Sequence, residues 1–212
     1  RSSDLVNSEA TSNQSIAIGY QSKAAGRNIG GGGDPALAVG AGAKATAGGA
    51  TAIGMVANAS NTFATAIGKS AAASGDSSIA IGQNTTATQE KAIAIGDGSQ
   101  STNRGSTALG RSSEATGASA TALGSLAVAN STSATAVGMQ SKATQADTVA
   151  IGSSATAAAL NSIAMGKNAT ITAPTSGTTL GGQDSIAVGT RSSANQHSSV
   201  SIGLEAKSDG VR

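Results

Sequence analysis

The sequence predicts an all-β fold, a parallel β-roll solenoid of about thirteen 14-residue coils. A glycine that follows an apolar pair recurs with a constant period through most of the 212-residue chain. The residues before each such glycine alternate a large or β-branched side chain with alanine, which is the period of a strand. With one Phe, one Tyr and no Trp, the chain lacks the side chains that fill an ordinary core, so its backbone segments must pack closely.

The glycine series defines the coils. Ten glycines follow one another at the same spacing without a break: Gly40, Gly54, Gly68, Gly82, Gly96, Gly110, Gly124, Gly138, Gly152 and Gly166. The spacings from Gly19 to Gly40 and from Gly166 to Gly189 are longer, and Gly203 returns to the regular period. The two longer spacings predict insertions of seven and nine residues, which we place as loops near residues 28–35 and 171–183. A repeat that covers nearly the whole chain is typical of a solenoid.

The first strand of each coil is the segment before the glycine, as in SIAIG at Ser15 to Gly19. Successive side chains of a strand point to opposite faces, so one face carries Ala, or Ser201 in the last coil. The other face carries an aliphatic column next to the glycine: Ile18, Val39, Ile53, Ile67, Ile81, Ile95, Leu109, Leu123, Val137, Ile151, Met165, Val188 and Ile202.

A shorter second strand follows each glycine. Small residues such as Ser22 and Ala24 stand three and five places after the glycine, and the place between them is free to vary. That variable place holds Lys23, Lys44 and Lys142, among other residues. A polar turn such as Gly75-Asp76 closes the coil. Because a coil of this length is too short for three sides, we expect two strands per coil and two sheets that are parallel between coils.

We expect the interior of the roll to accept only Ala, Ser and Thr. The Ala column and the small residues after each glycine are therefore placed inside, and the aliphatic column outside. Such a stripe exceeds the apolar patch that a soluble monomer usually exposes, so we predict that it is an interface between copies of the chain. The stripe alone allows two or three copies. The pattern also leaves the exchanged arrangement open, in which Ile fills a wider roll and Ala lines a close seam between chains.

Charge and composition exclude several classes of function. The 13 basic and 11 acidic residues are interspersed and give a net charge of +2, so we expect no nucleic acid partner. There is no cysteine for a disulfide or a thiolate metal site. No apolar run reaches the roughly 20 residues that span a bilayer, and none has the pattern of a signal peptide. We therefore expect any export signal and membrane anchor to lie outside this fragment.

The sequence contains only weak candidates for a catalytic or metal-binding site. His197 stands alone in a polar turn, without the partners that a catalytic base or metal site needs. The sequence Gly32-Gly33-Asp34 occurs once, whereas calcium-binding β-rolls repeat such a motif regularly. Hexapeptide acyltransferases need three hexapeptides per coil, which the observed period does not provide. We expect no metal, no cofactor and no enzymatic activity.

SIAIGYQSKA at Ser15 to Ala24 resembles the head repeats of YadA-type trimeric autotransporter adhesins, whose consensus is SVAIGxxSxA. The match runs through every coil. The resemblance implies a left-handed β-roll assembled from three chains, displayed on a Gram-negative outer membrane to bind host cells or matrix. Residues 1–212 are then expected to form a single head domain, without the family's neck, stalk and membrane anchor.

The predicted function is that of a non-enzymatic bacterial adhesin head. Its expected partners are two identical chains and components of the host extracellular matrix or cell surface. We predict that Lys23, Lys44 and Lys142 belong to the adhesive outer face, because the outer columns are the only variable ones. The alternative is a passive spacer that projects other domains of the fibre.

Overall fold

The computed structural model describes residues 7–26, 34–172 and 182–208. The chain forms two compact units, residues 1–105 and 106–212. In each unit every coil contributes a three-residue strand to one sheet and a two-residue strand to a second sheet. Neighbouring strands of both sheets are parallel, which confirms the predicted β-solenoid of about 13 turns.

Unit 1 contains the strands β1 to β13. The three-residue strands are β2 (Ile16–Ile18), β4 (Leu37–Val39), β6 (Thr51–Ile53), β8 (Thr65–Ile67), β10 (Ile79–Ile81) and β12 (Ile93–Ile95). The two-residue strands are β1 (Glu9–Ala10), β3 (Lys23–Ala24), β5 (Lys44–Ala45), β7 (Asn58–Ala59), β9 (Ala72–Ala73), β11 (Thr86–Ala87) and β13 (Gln100–Ser101). Each strand hydrogen-bonds to the corresponding strand of a neighbouring coil.

Unit 2 continues with β14 to β27. The three-residue strands are β14 (Thr107–Leu109), β16 (Thr121–Leu123), β18 (Thr135–Val137), β20 (Val149–Ile151), β22 (Ile163–Met165), β24 (Ile186–Val188) and β26 (Val200–Ile202). The two-residue strands are β15 (Glu114–Ala115), β17 (Val128–Ala129), β19 (Lys142–Ala143), β21 (Thr156–Ala157), β23 (Thr170–Ile171), β25 (Ser193–Ala194) and β27 (Lys207–Ser208).

The register places equivalent residues of successive coils side by side. Ile79 pairs with Ile93 and Ala80 with Ala94, for example. Pairing also continues past the longer spacings, since Ile16 pairs with Leu37 and Ile163 with Ile186. Residues 27–33 and 173–181, where most of the two predicted insertions fall, lie outside the described residues, so the insertions stay predictions.

The interior of each unit is built from small side chains. The alanines that precede the glycines, such as Ala80 and Ala94, are fully buried, as are Ser22 and Ala24 after Gly19. The aliphatic residues beside them are only half-buried or exposed. The structure therefore places the Ala column inside the roll and the aliphatic column outside, and it excludes the exchanged arrangement that the sequence left open.

A further inward column was missed by the sequence analysis. In most coils the residue just before the first strand, such as Ala64, Ser78 or Ala92, is also fully buried. The hydroxyl group of Ser78 finds a backbone acceptor there, since its Oγ donates to the carbonyl of Gly75 at 2.7 Å. Small side chains fit at this end of the roll, where the chain turns from the second strand of one coil into the first strand of the next.

Ile171 corrects the expectation that the interior accepts only Ala, Ser and Thr. Its side chain is fully buried in β23, where it occupies the position of Ala157 in the coil before. A β-carbon placed on Gly182 would lie 2.7 Å from the Cγ2 atom of Ile171. The larger side chain therefore fits because Gly182 leaves space for it.

The coil glycines have two physical reasons to be glycine. Gly124 has a φ of 135°, which residues with a β-carbon rarely adopt. A β-carbon at this position would also lie 2.6 Å from the carbonyl oxygen of Gly138 in the next coil. The turn thus requires both an unusual conformation and a close approach between two backbones, which explains why glycine recurs once in every coil.

Candidate assembly and adhesion surfaces

Each unit presents two outer sheet faces with different chemistry. We call the outer side of the three-residue strands the aliphatic face and the outer side of the two-residue strands the polar face. No described three-residue strand contains Asp, Glu, Lys or Arg. All of the charged strand residues among the described ones lie on the two-residue strands.

The aliphatic face contains every residue that the sequence assigned to an interface. These thirteen side chains are Ile18, Val39, Ile53, Ile67, Ile81, Ile95, Leu109, Leu123, Val137, Ile151, Met165, Val188 and Ile202. Leu109, Leu123 and Met165 are each 40% exposed, and the exposed fraction rises to 69% for Ile202 in the last coil. Within each unit the register places these side chains in neighbouring rows. The result is a continuous apolar surface on each unit.

The polar face contains Lys23, Lys44 and Lys142, all of them exposed. Lys23 pairs in register with Glu9 of the preceding strand, and its Nζ lies 3.0 Å from a carboxylate oxygen of that residue. Within the described residues neither Lys44 nor Lys142 forms an ion pair. All three lysines therefore lie on the polar face. Only the charge of Lys23 is partly neutralised by a neighbouring carboxylate.

The remaining ion pairs lie in the turns. Glu90 contacts both Lys91 at 3.1 Å and Arg104 at 3.2 Å, and Arg191 pairs with Glu205. All of these side chains are substantially exposed, so each pair contributes little to stability. The turns thus carry balanced charge, without a patch of one sign among the described residues.

His197 lies in an exposed turn, as its sequence position predicted. Its Nε2 atom is 3.9 Å from a carboxylate oxygen of Asp184, and its Nδ1 atom is 2.6 Å from the Oγ of Ser198. Among residues 7–26, 34–172 and 182–208, no group of three or more His, Cys, Asp or Glu side chains could hold a metal ion. In the same ranges no helix is long and apolar enough to cross a membrane.

Sequence reasoning missed a regular set of left-handed residues. Apart from the coil glycines, positive φ values recur twice in each fully described coil, as at Ser70, Ser77, Asn84 and Lys91. The first of each pair stands two places after a coil glycine, and the second lies in the opposite turn. Such conformations favour Gly, Asn and Asp, and these residues occupy only some of the sites. These sites could have been found from their regular spacing along the chain, because each coil contains two similar halves.

Several of these left-handed sites expose apolar side chains. Val56, Phe63 and Leu126 all have a positive φ and are 56%, 59% and 40% exposed. The ring of Phe63 covers Gly49 of the preceding coil, since a β-carbon on that glycine would clash with the ring. These residues place apolar groups at the turn edges, between the two sheet faces.

Comparison with known proteins identifies the family to which this architecture belongs. The family model for the YadA head domain repeat (2 copies) matches residues 10–28, 32–57, 59–85, 73–99, 87–113, 101–127, 115–141, 129–155, 143–169 and 181–206. The chain belongs to the YadA head family. This is an adhesin head family and not an enzyme family.

A solved structure agrees with the YadA assignment. The chain is similar to the collagen-binding domain of the Yersinia adhesin YadA, with a TM-score of 0.57 and 34% sequence identity. The match covers 66% of this chain and 74% of the Yersinia domain. The comparison with curated proteins gives no match. The YadA-type resemblance inferred from SIAIGYQSKA is therefore confirmed.

Proposed function

We propose that this chain is the head of a bacterial surface adhesin, which assembles as a homotrimer on the outer membrane and attaches the cell to host extracellular matrix. Collagen is the proposed ligand. The observation that carries the proposal is membership of the YadA head family together with similarity to a collagen-binding head. No step of this function requires a cofactor, a metal or a catalytic residue.

Self-association is supported by the aliphatic face. A monomer that exposes such an apolar surface would bury it against another molecule, because transfer of apolar area from water is favourable by about 25 cal/mol per Å². The strands that form this face contain no charged residue in the described part of the chain. The proposed trimer interface is accordingly the thirteen-residue aliphatic column, and three copies rather than two follow from the family.

Adhesion is assigned to the polar face. If the aliphatic faces are buried between chains, the polar faces and turns remain accessible, and they carry the residues that vary from coil to coil. Repetition from coil to coil and threefold copying multiply weak contacts through effective concentration. We therefore propose that Lys23, Lys44 and Lys142 contribute to binding as members of an extended surface.

A binding assay with matched variants tests the adhesive function. Immobilised collagen, fibronectin and laminin are presented to the intact protein, and collagen binding is the expected result. Reversing three polar-face charges, in the variant Lys23→Glu, Lys44→Glu and Lys142→Glu, should weaken that binding severalfold. The control reverses three exposed charges beside the coil glycines, Lys69→Glu, Arg111→Glu and Lys167→Glu, and has the same net charge.

The outcomes separate adhesion from the spacer function. Equal binding by the two variants would contradict a polar-face site. Failure of the unmodified protein to bind any of the three matrix proteins would favour the spacer, which the absence of a single-signed patch among the described residues also supports.

A further inference from the structure

The polar face of unit 2 carries two opposite charges at a fixed separation. Glu114 in β15 pairs in register with Val128 in β17, and Val128 pairs with Lys142 in β19. The three residues therefore form one row across three successive coils. Adjacent strands of a sheet lie about 4.8 Å apart, so the backbones of Glu114 and Lys142 are separated by about 9.6 Å.

Neither charge is used within the described chain. No ion pair among the described residues includes Glu114 or Lys142. Lys23 differs, because Glu9 in the adjacent strand neutralises it at 3.0 Å. Val128 separates the two unit 2 charges and is itself half-buried. From β15 to β19 the row therefore contains an acidic, an apolar and a basic residue. Glu114 is half-buried and Lys142 is exposed, and both charges remain available to a ligand.

The surroundings of Lys142 suit an extended chain that lies flat. Leu126, Gln140, Lys142, Ser154 and Thr156 line an open hollow at the edge of this face, where the left-handed turn residues meet β19 and β21. Leu126 is 40% exposed and supplies an apolar contact at its rim. The hydroxyl and amide groups of the other lining residues can bond to backbone carbonyls. A ligand here would find a charge, an apolar surface and polar groups side by side.

The separation of the two charges matches the repeat of a collagen chain. A polyproline II chain has three residues per turn and rises about 3.1 Å per residue, so one Gly-X-Y triplet spans about 9 Å. Residues at the same position of adjacent triplets consequently lie on one side of the chain, about 9 Å apart. Two coils of the roll, about 9.6 Å, therefore correspond to one triplet of about 9 Å. The small difference between these two lengths accumulates along the ligand and limits the matching register to a few triplets.

We infer that Glu114 and Lys142 form a charge pair that reads one triplet of a triple-helical ligand lying across the coils. A basic side chain of the ligand would contact Glu114, and an acidic side chain one triplet away would contact Lys142. The imino acid rings between them would pack on Val128 and Leu126. This inference rests on the proposed collagen-binding function and specifies the charge pattern that the polar face recognises.

Lys44 provides a matched control on the same column. It is exposed, as Lys142 is, but the residue two coils further on is Ala72, after Asn58. In the other direction Lys23 precedes it. Two coils before Lys44 lies Glu9, whose carboxylate is already paired with Lys23. Lys44 therefore has the same charge and strand position without a free acidic partner at the two-coil distance.

Triple-helical peptides test the register directly. Three peptides share a Gly-Pro-Hyp host sequence. One carries Lys and Glu at the same position of adjacent triplets, one carries them two triplets apart, and one carries no charge. We expect the unmodified protein to bind the first about threefold to tenfold more tightly than the second, which is the effect expected of two ion pairs at a protein surface.

Charge variants separate this pair from general attraction. Lys142→Glu and Glu114→Lys should each abolish the preference for the adjacent-triplet peptide, and the double exchange should restore it because the ligand then reverses direction. Lys44→Glu should leave the preference unchanged. Circular dichroism and the oligomeric mass confirm that each variant is folded.

Three results would overturn the inference. They are equal affinity of the unmodified protein for the two charged peptides, equal losses from Lys44→Glu and Lys142→Glu, and no recovery in the double exchange. If the protein still binds native collagen, each of these results refutes only the charge-pair inference, and the proposed collagen-binding function stands. Failure to bind native collagen would instead refute the proposed function together with this inference.

Discussion

Ala94→Leu tests the interior packing of the roll. Ala94 is fully buried in β12, and its neighbour in the preceding coil is Ala80, also fully buried. Leucine adds three carbon atoms where both sheets already touch through small side chains. Overpacking of this kind costs about 1 to 3 kcal/mol. For a chain of this size, that corresponds to a fall of about 2 to 12 °C in Tm.

The matched control is Ala72→Leu. Ala72 lies on the polar face of β9 and is only partly buried, so the same added atoms extend into solvent. A surface change of this kind alters stability by about 0.5 kcal/mol or less. Both variants are unfolded by urea and heat at one protein concentration and followed by circular dichroism. Equal midpoints for Ala94→Leu and Ala72→Leu would refute the assignment of the Ala column to the interior.

Three further changes probe the turns, the buried hydroxyls and the apolar surface. Gly124→Ala should destabilise by about 2 kcal/mol or more in urea unfolding, because it strains a φ of 135° and contacts the Gly138 carbonyl; an unchanged midpoint would refute this. Ser141→Ala should cost about 1 kcal/mol by losing a 2.9 Å hydrogen bond, whereas Ser99→Ala should cost less, since its buried hydroxyl has no partner; a reversed order would contradict the structure. Ile95→Lys should dissociate the proposed assembly by burying unpaired charges, whereas Lys142→Glu should leave the sedimentation mass unchanged.

The alternation of residues predicted most of the architecture. In the segment AIAIG at Ala92 to Gly96, the period of two separates Ala94 from Ile95, and the small size of alanine assigns it to the thin interior. The regular spacing of the glycines sets the length of each coil and predicted two strands per coil. These features could be predicted because they depend on local patterns that repeat along the chain.

The sequence could not predict features that depend on contacts between coils. The hydroxyl of Ser99 lacks a partner because Thr85, from the preceding coil, donates to the Gly96 carbonyl at 2.7 Å. In other coils the equivalent serine, such as Ser141, donates to its own coil glycine. Ile171 is buried only because Gly182 leaves space for it. Neither fact is visible in a local pattern.

The candidate surfaces were predicted in part. The outward position of the aliphatic column and of Lys23, Lys44 and Lys142 follows from strand alternation, and the structure places them there. The different pairing of Lys23 and Lys142 was missed, although the repeat already places Glu9 beside Lys23 and Val128 beside Lys142. The left-handed conformations of Val56 and Phe63 were also missed, since neither residue type favours a positive φ.

Sedimentation equilibrium of the unmodified protein at micromolar concentration tests the central claim most directly. The chain has a mass of 20.0 kDa, and an adhesin head whose aliphatic face is buried between three copies should sediment as a single species of three times that mass. A folded species with the mass of one chain would contradict the account, because the aliphatic face would then be stable in water.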